Sequence, residues 1–477
     1  MSLDSNYSIK EINELCEINS SNYSKKDNWN FINYLDTKNI IKGEINEIQL
    51  FDPNYDKVPS RAKRKVKIDD IIISTVRPNQ EHYGIIKNKI DNFLVSTGFT
   101  TLTVDKTQAK PEFIYYYITQ KYITESLQTI AEQSTTSYPS IKPSDIGNLL
   151  IELPPLEIQE KISQILTSIE NKISVNKEIN NHLEEVMLKI FNSWFVKFEL
   201  SNELIDSKLG LIPKGWKVDY LGSKKSCSII GSGIENFDDF KIYIATADVD
   251  NSIITNYETL ITMEDKPSRA NMQPVPKSIW FAKMIDSRKL IMVDDYSEEL
   301  LNNYIFSTGF CGLKCVDKYF YYLWTFLLTD AFDNIKNNFC TGTTMQAINN
   351  KDTKLIEFVI PNDELLFRFN SIAEPIYKEI YYNNIEIRKL QKLRDTLLPM
   401  LMSGEIDITK VNYDLKKIIR KFILSFLNYL WRQLYENKNY FKNTKSNETL
   451  LEPRPIHKIN KLFTKFIRRY RYNRQQY

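Results

Sequence analysis

The stretch Pro154–Leu200 constrains this chain more than any other. After Pro155 it holds neither glycine nor proline, and none follows until Gly210. Apolar residues recur at Ile158, Ile162, Ile165, Ile169, Ile173, Ile179, Leu183, Val186, Ile190 and Trp194, and with Asn176 added the series advances 36 residues in ten steps. A repeat of 3.6 residues is one stripe along a straight α-helix, with Pro155 at the entry, where an N–H has no intrahelical partner to lose. About 40 residues, rising roughly 1.5 Å each, predict a rod of roughly 60 Å. The remaining faces are polar, so the stripe has to bury itself against another helix.

A partner lies in the same chain. A shift of 207 places Pro154 on Pro361, Glu157 on Glu364 and Ile158 on Leu365, and the stripe continues through Phe369, Ile372, Ile376, Ile380, Leu390, Leu393 and Leu397. Asn176 falls on Asn383, while Ile179 falls on Glu386, where Ile387 takes over the facing role. Pro375 lies inside this second stretch and removes the N–H that would bond the Ser371 carbonyl, which predicts a kink or break. The repeat extends beyond the helices: Pro59-Ser60-Arg61-Ala62 returns as Pro267-Ser268-Arg269-Ala270, and Ser96-Thr97-Gly98-Phe99 as Ser307-Thr308-Gly309-Phe310. Four anchors in one order at nearly one offset describe a two-copy duplication rather than a solenoid of short repeats.

The expected order is a globular domain over 1–152, a long helix over 153–200, a second globular domain over 201–360, a second long helix over 361–408, and a tail over 409–477. If the helices pair antiparallel, the two domains sit at opposite ends of a rod, related by a pseudo-two-fold axis. Asn176 and Asn383 would then form a buried polar pair near mid-rod and set the register. The alternative is ordinary packing of both stripes in a bundle.

Charge narrows the partners. Residues 411–477 carry 16 Lys/Arg against 4 Asp/Glu, and +3 overall minus that +12 leaves −9 for residues 1–410. Such a body is not a uniformly basic clamp, so any nucleic-acid contact must use local basic faces. The segment Ser60–Lys67 supplies one as a phosphate-contacting loop, with Arg61, Lys63, Arg64, Lys65 and Lys67; a solvated loop is the alternative. Arg77, just past a strand, is a further candidate, and Thr135, Thr136 and Ser137 have hydroxyls for phosphate or base edges or for a turn. In the second domain Arg269, Arg288 and Lys289 are the basic candidates. Thr343, Thr344 and Gln346 lie in the segment Thr341–Gln346, which occupies the place of Gln133–Ser140. Gln346 has the amide geometry for adenine, or for a loop hydrogen bond.

Short β-branched or aromatic runs predict strands at Asn30–Leu35, Asp70–Val76, Phe93–Phe99, Thr100–Val104, Leu149–Leu153, Lys241–Thr246 and Ser278–Ala282, with a short strand or helix at Ile9–Ile18. Aromatic helices are expected at Glu112–Ile130 and Tyr319–Ile335. In the tail, Leu415–Leu434 is amphipathic with a cluster of lysine and arginine at one end, suited to a membrane surface or to a partner, and the terminus interleaves Arg with Tyr. No apolar run is long enough to span a membrane, and the first residues lack a secretion signal, so a cytoplasmic protein is expected. Five scattered cysteines suit that reducing compartment.

Catalytic signatures are missing. Gly210–Lys217 is the nearest approach to a phosphate-binding loop, and Trp216 stands where its lysine belongs. No Asn/Asp-Pro-Pro-Tyr/Phe tetrapeptide of an amino-methyltransferase occurs. Cys311, Cys315 and Cys340 are three parts of a zinc set, but His82, His182 and His457 are all remote in sequence. The expectation is a binding protein without chemistry of its own.

Duplicated domains, each followed by a long helix, resemble the specificity (S) subunit of type I restriction–modification enzymes. The matching residues are Leu153-Pro154-Pro155-Leu156-Glu157-Ile158-Gln159 in copy one, and Arg394–Pro399 with Leu401-Met402-Ser403-Gly404-Glu405-Ile406 in copy two; Thr341–Gln346 and Gly210–Trp216 also look like this family. The resemblance covers roughly residues 1–410, and the tail departs from it. It implies an α+β chain with two similar α/β target recognition domains, separated by an antiparallel coiled coil that acts as spacer and docking site. Each domain would read half of a bipartite site on double-stranded DNA. Two methyltransferase (M) subunits and restriction (R) subunits would be the partners, and S-adenosylmethionine, ATP and magnesium would belong to them. A non-catalytic interaction scaffold with a membrane-surface or partner-binding tail is the alternative.

Overall fold

The computed structural model describes residues 7–134, 138–343, 345–406 and 408. Thr135, Thr136, Ser137, Thr344 and the tail 409–477 therefore lie outside the described residues. Two compact units result. The first comprises the described residues through Ser174 and those from Ile387 onward; the second comprises Val175–Glu386.

In the first unit, one four-stranded sheet has the order Gln49–Phe51, Ile32–Leu35, Phe93–Ser96, Ala62–Lys65. Phe93–Ser96 runs parallel to Ile32–Leu35 and antiparallel to Ala62–Lys65, with a bulge at Val95/Ser96. A second sheet, antiparallel throughout, has the order Cys16–Ile18, Phe99–Val104, Ile71–Ser74, Tyr83–Ile85. A ribbon of Ser8–Glu11 with Leu150–Leu153 closes the domain. The central strands are buried on both faces, which is why Ile71–Ser74 and Phe93–Ser96 read as unbroken apolar runs ending in serine rather than as alternating ones.

The second unit repeats this plan strand for strand. Leu260–Ile261, Lys241–Ile244, Tyr304–Ser307 and Ala270–Met272 form the first sheet, again with one parallel pair and a bulge in the last pairing. Cys227–Ile229, Phe310–Cys315, Ser278–Ala282 and Leu290–Val293 form the second, and Lys217–Tyr220 with Glu357–Ile360 the ribbon. The internal repeat read from short motifs is thus a repeat of topology and register.

Each aromatic helix is split in two. Pro111–Ile118 and Lys121–Glu132 replace the single helix expected over 112–130, because Gln120 is extended and its buried amide donates to the Tyr117 carbonyl at 3.2 Å. Phe320–Leu327 and Asp330–Asn338 divide at Thr329, whose hydroxyl accepts the Phe332 N–H at 3.2 Å as a helix cap. The basic stretch expected as a loop is instead a strand, Ala62–Lys65, since Ala62 is buried and every second side chain can face water.

The long helices span Leu156–Phe191, continued by a π-helical turn Asn192–Val196, and Asp363–Met402. Of the kink or break expected at Pro375, the break does not occur: the second helix runs through it. Its neighbours Ala373 and Tyr377 are buried in the core of the second unit, and that packing offsets a proline penalty of about 3 kcal/mol. Within each unit the helices are antiparallel. In the first, Ile162–Ile173 shares a core with Ile387, Leu390, Leu397 and Leu401, and Glu170 lies 3.8 Å from Arg394. In the second, Asn176 meets Glu386 at 2.7 Å, Asn180 meets Asn383 and Asn384 at 2.9 and 2.8 Å, and Trp194 packs on Phe369. Asn176 and Asn383 are both buried, as expected of polar seam residues, but each bonds another partner and not its counterpart.

The aromatic helix of each domain docks on the long helix that follows it. The Tyr116 hydroxyl donates to Glu170 at 2.8 Å, and Thr325 bonds the Tyr377 hydroxyl at 2.8 Å. Glu170 and Tyr377 are separated by the same shift of 207 that aligns the helices, so the contact repeats with changed chemistry.

Candidate nucleic-acid interface

In the first unit four backbone segments converge where the two sheets hand over to each other. The Thr97 N–H donates to the Arg61 carbonyl at 2.8 Å, so the two repeated motifs touch. The Gly98 carbonyl accepts from the Thr75 N–H at 2.8 Å and from its hydroxyl at 3.0 Å. Two residues on, the Arg77 N–H donates to the Pro139 carbonyl at 2.9 Å, and its guanidinium stacks over Tyr138 at 5.2 Å. Arg77 holds a left-handed backbone, φ 49°, which turns the chain sharply before Pro78. Arg61, Thr97, Arg77 and Tyr138 are all exposed on these linked segments.

The second unit builds the same convergence. The Thr308 N–H donates to the Arg269 carbonyl at 2.9 Å, and the Lys283 N–H to the Gly309 carbonyl at 3.0 Å. The Ile285 N–H donates to the Gln346 carbonyl at 3.0 Å, and Thr341 and Ala347 exchange backbone bonds that close the loop carrying Thr343 and Gln346. Both of these side chains are exposed.

The predicted basic residues divide. Lys65 pairs with Asp27, whose carboxyl that bond holds below its ordinary range, and lies over the Trp29 ring at 5.5 Å. Arg64 is half-buried: it donates to Asn22 at 3.1 Å while its Nε has no partner, and burial pushes its pKa down. Burial also works against the Arg288 charge, but Asp330 and Asp333 outweigh it and hold the guanidinium protonated. Lys289 is tied to the Thr246 carbonyl at 2.8 Å. Arg61, Lys63, Lys67, Arg77 and Arg269 remain exposed.

Sequence reasoning missed Lys283, whose ammonium donates to the Thr308 carbonyl at 3.2 Å inside the second cluster. The signal was available: a shift of 208 places it on Thr75, as it places Ile285 on Arg77. The two clusters therefore share a backbone frame and differ in the side chains mounted on it.

Among the described residues no group of His, Cys, Asp and Glu has the arrangement of a metal site. Cys311 is a buried thiol, pushed up to about 12 by burial, which is the opposite of what a metal-ligating thiolate requires. Cys315 is likewise buried and raised. Among the described residues no helix is long and apolar enough to cross a membrane.

Comparison with known proteins finds similarity along most of the chain. The sequence profile described as Type I restriction modification DNA specificity domain matches residues 4–185. The chain is 23% identical over 454 residues to the Type I restriction enzyme HindI specificity subunit of Haemophilus influenzae, covering 81% of this chain and 97% of that one. It is 26% identical over 424 residues to the MjaIX specificity subunit of Methanocaldococcus jannaschii, covering 84% and 93%. The solved S subunit of a type I restriction-modification system from M. genitalium superposes with a TM-score of 0.47 at 14% identity, over 84% of this chain and 98% of that one. The profile lies on the first copy and the similarity to these two relatives runs over more than four fifths of the chain, so the chain is similar along most of its length to type I restriction–modification specificity subunits.

Proposed function

We propose that this chain is the non-catalytic DNA-specificity subunit of a type I restriction–modification complex, reading a bipartite site on double-stranded DNA and directing methyltransferase and restriction subunits to it. The observation that carries this reading is the pair of loop clusters with one backbone frame and different exposed side chains. A shared frame docks each unit on the duplex in the same way, while different side chains read different bases. Domains over 1–152 and 201–360 would be the two target recognition domains, and the paired long helices the element that sets the gap between the two words read. Two methyltransferase subunits would dock on the helices, with restriction subunits joining them. S-adenosylmethionine, ATP and magnesium would serve those partners, in the cytoplasm where the DNA lies. Arg61, Lys63, Lys67, Arg77, Arg269, Thr343 and Gln346 are the described side chains best exposed for the duplex.

Mapping adenine methylation across a genome with and without this gene, the partner genes being expressed, tests the reading. A split motif should vanish when the gene is removed, and an unchanged pattern would overturn it. The scaffold alternative depends on residues 409–477, which lie outside the described residues, and nothing in the two units favours it.

A further inference from the structure

Two motifs survive in both copies of a duplication whose other residues have largely diverged, and most of their residues have a packing reason to survive. Ala62 and Ala270 are buried, as are Phe99 and Phe310. The Ser96 and Ser307 hydroxyls accept the Gly98 and Gly309 N–H groups at 3.2 and 3.1 Å. A Cβ on either glycine would come within 2.9 Å of a threonine methyl, Thr37 or Thr246. The Pro59 and Pro267 carbonyls close tight turns by accepting from Ala62 and Ala270.

The arginines have no such reason. Their carbonyls are bonded to Thr97 and Thr308, a duty any residue can perform, yet their side chains are exposed and neither guanidinium is ion-paired among the described residues. In the second unit the Arg269 Nη2 lies 3.1 Å from where a Gly309 Cβ would stand, so the guanidinium rests above the turn where the sheets meet. Other exposed basic candidates are not kept: Lys63, Lys67 and Arg77 correspond to Asn271, Val275 and Ile285.

Resting on the reading of the chain as a DNA-specificity subunit, we infer that Arg61 and Arg269 are its paired phosphate anchors, one in each unit. Each guanidinium binds a backbone phosphate oxygen of its half-site and holds the loop cluster at a fixed depth without reading a base. Arginine suits the task because its planar fork matches two phosphate oxygens at once and stays charged at any working pH. Because the anchor is common to both units, it contributes affinity to every sequence and discrimination to none.

The test uses the full chain in complex with its methyltransferase partner, titrated onto a duplex bearing the wild-type methylation motif and onto a scrambled duplex over a series of salt concentrations. Arg61→Ala and Arg269→Ala should each weaken binding to both duplexes by the same factor, about three- to tenfold, and lower the salt slope by about one. The methylated motif should keep every letter, and Arg61→Lys should restore the salt slope. A changed letter, a loss confined to the motif duplex, or unmoved affinity and slope overturns the inference while the specificity reading stands. A wild-type complex with no preference between the two duplexes overturns both.

Discussion

Gln159 shows what a single buried side chain decides here. It belongs to the segment Leu153–Gln159 that opens the first long helix, and it is almost wholly buried. Its amide accepts the Lys110 N–H at 2.8 Å and donates to the Pro154 carbonyl at 2.8 Å, tying the start of the aromatic helix to the start of the long one. Gln159→Ala removes both partners at once, and thermal or urea unfolding should show a loss of about 1–3 kcal/mol, since buried polar groups left unpaired cost that much. The corresponding residue of the second copy is the fully buried Leu366, so the same joint is made there without a polar tie. Two other residues couple stability to pH. Burial pushes the Glu170 and Glu184 carboxyls above the ordinary glutamate range, against the opposing hydrogen bonds from Tyr116 and Ser252. A raised folded value means that the native chain retains a proton that the unfolded chain has already released, so stability falls as pH rises through the window between the ordinary and the raised value. Glu184→Gln keeps an acceptor for Ser252 and removes the titration, so melting temperatures measured from about pH 4 to about pH 7 should decline less than in the parent. An equal or steeper decline would rule this out.

At the scale of elements, the seam between the long helices carries a cluster of amides in the second unit, Asn176, Asn180, Asn383 and Asn384. Asn180 is the hub: it donates to Asn384 and accepts from Asn383, at 2.8 and 2.9 Å. A buried amide pair of this kind penalises any slip of one helix against the other, because a slipped register strands its donors in an apolar seam. Asn180→Leu strands them in the native register instead. It should destabilise the second unit by about 1–3 kcal/mol, and adding Asn383→Leu should recover part of that loss by making the seam apolar on both sides. A double-mutant cycle on unfolding free energies measures the coupling, and strictly additive losses would show that the amides act independently. Pro375 completes the picture: a helix that local rules would interrupt persists because the side chains on either side of it are held in the core.

For the whole molecule the testable consequence is a length. Removing four residues from each long helix, next to Asn176 and its antiparallel partner Glu386, shortens the pair by about 6 Å, roughly two base pairs of duplex. Methylation mapping should then return the same two half-site words with a smaller gap, and altered words would contradict a spacer role. Much of this was legible in the linear chain. Helical periodicity survives in sequence because burial of one face is imposed every 3.6 residues, and the repeat survives because a turn that joins two sheets tolerates few residue types at Ser96, Gly98 and Ala62. Strand pairing was not legible: the parallel partnership of Ile32–Leu35 with Phe93–Ser96 joins segments far apart in the chain, and nothing local encodes a partner at that distance. Nor was the sorting of the basic residues, since what sets Lys65 and Arg288 apart from Arg61 and Arg269 is that a carboxylate from another segment has folded against them. Periodicity and repetition are properties of one segment at a time and can be read along the chain; pairing, exposure and charge neutralisation are properties of segments brought together, and only folding in three dimensions sets them.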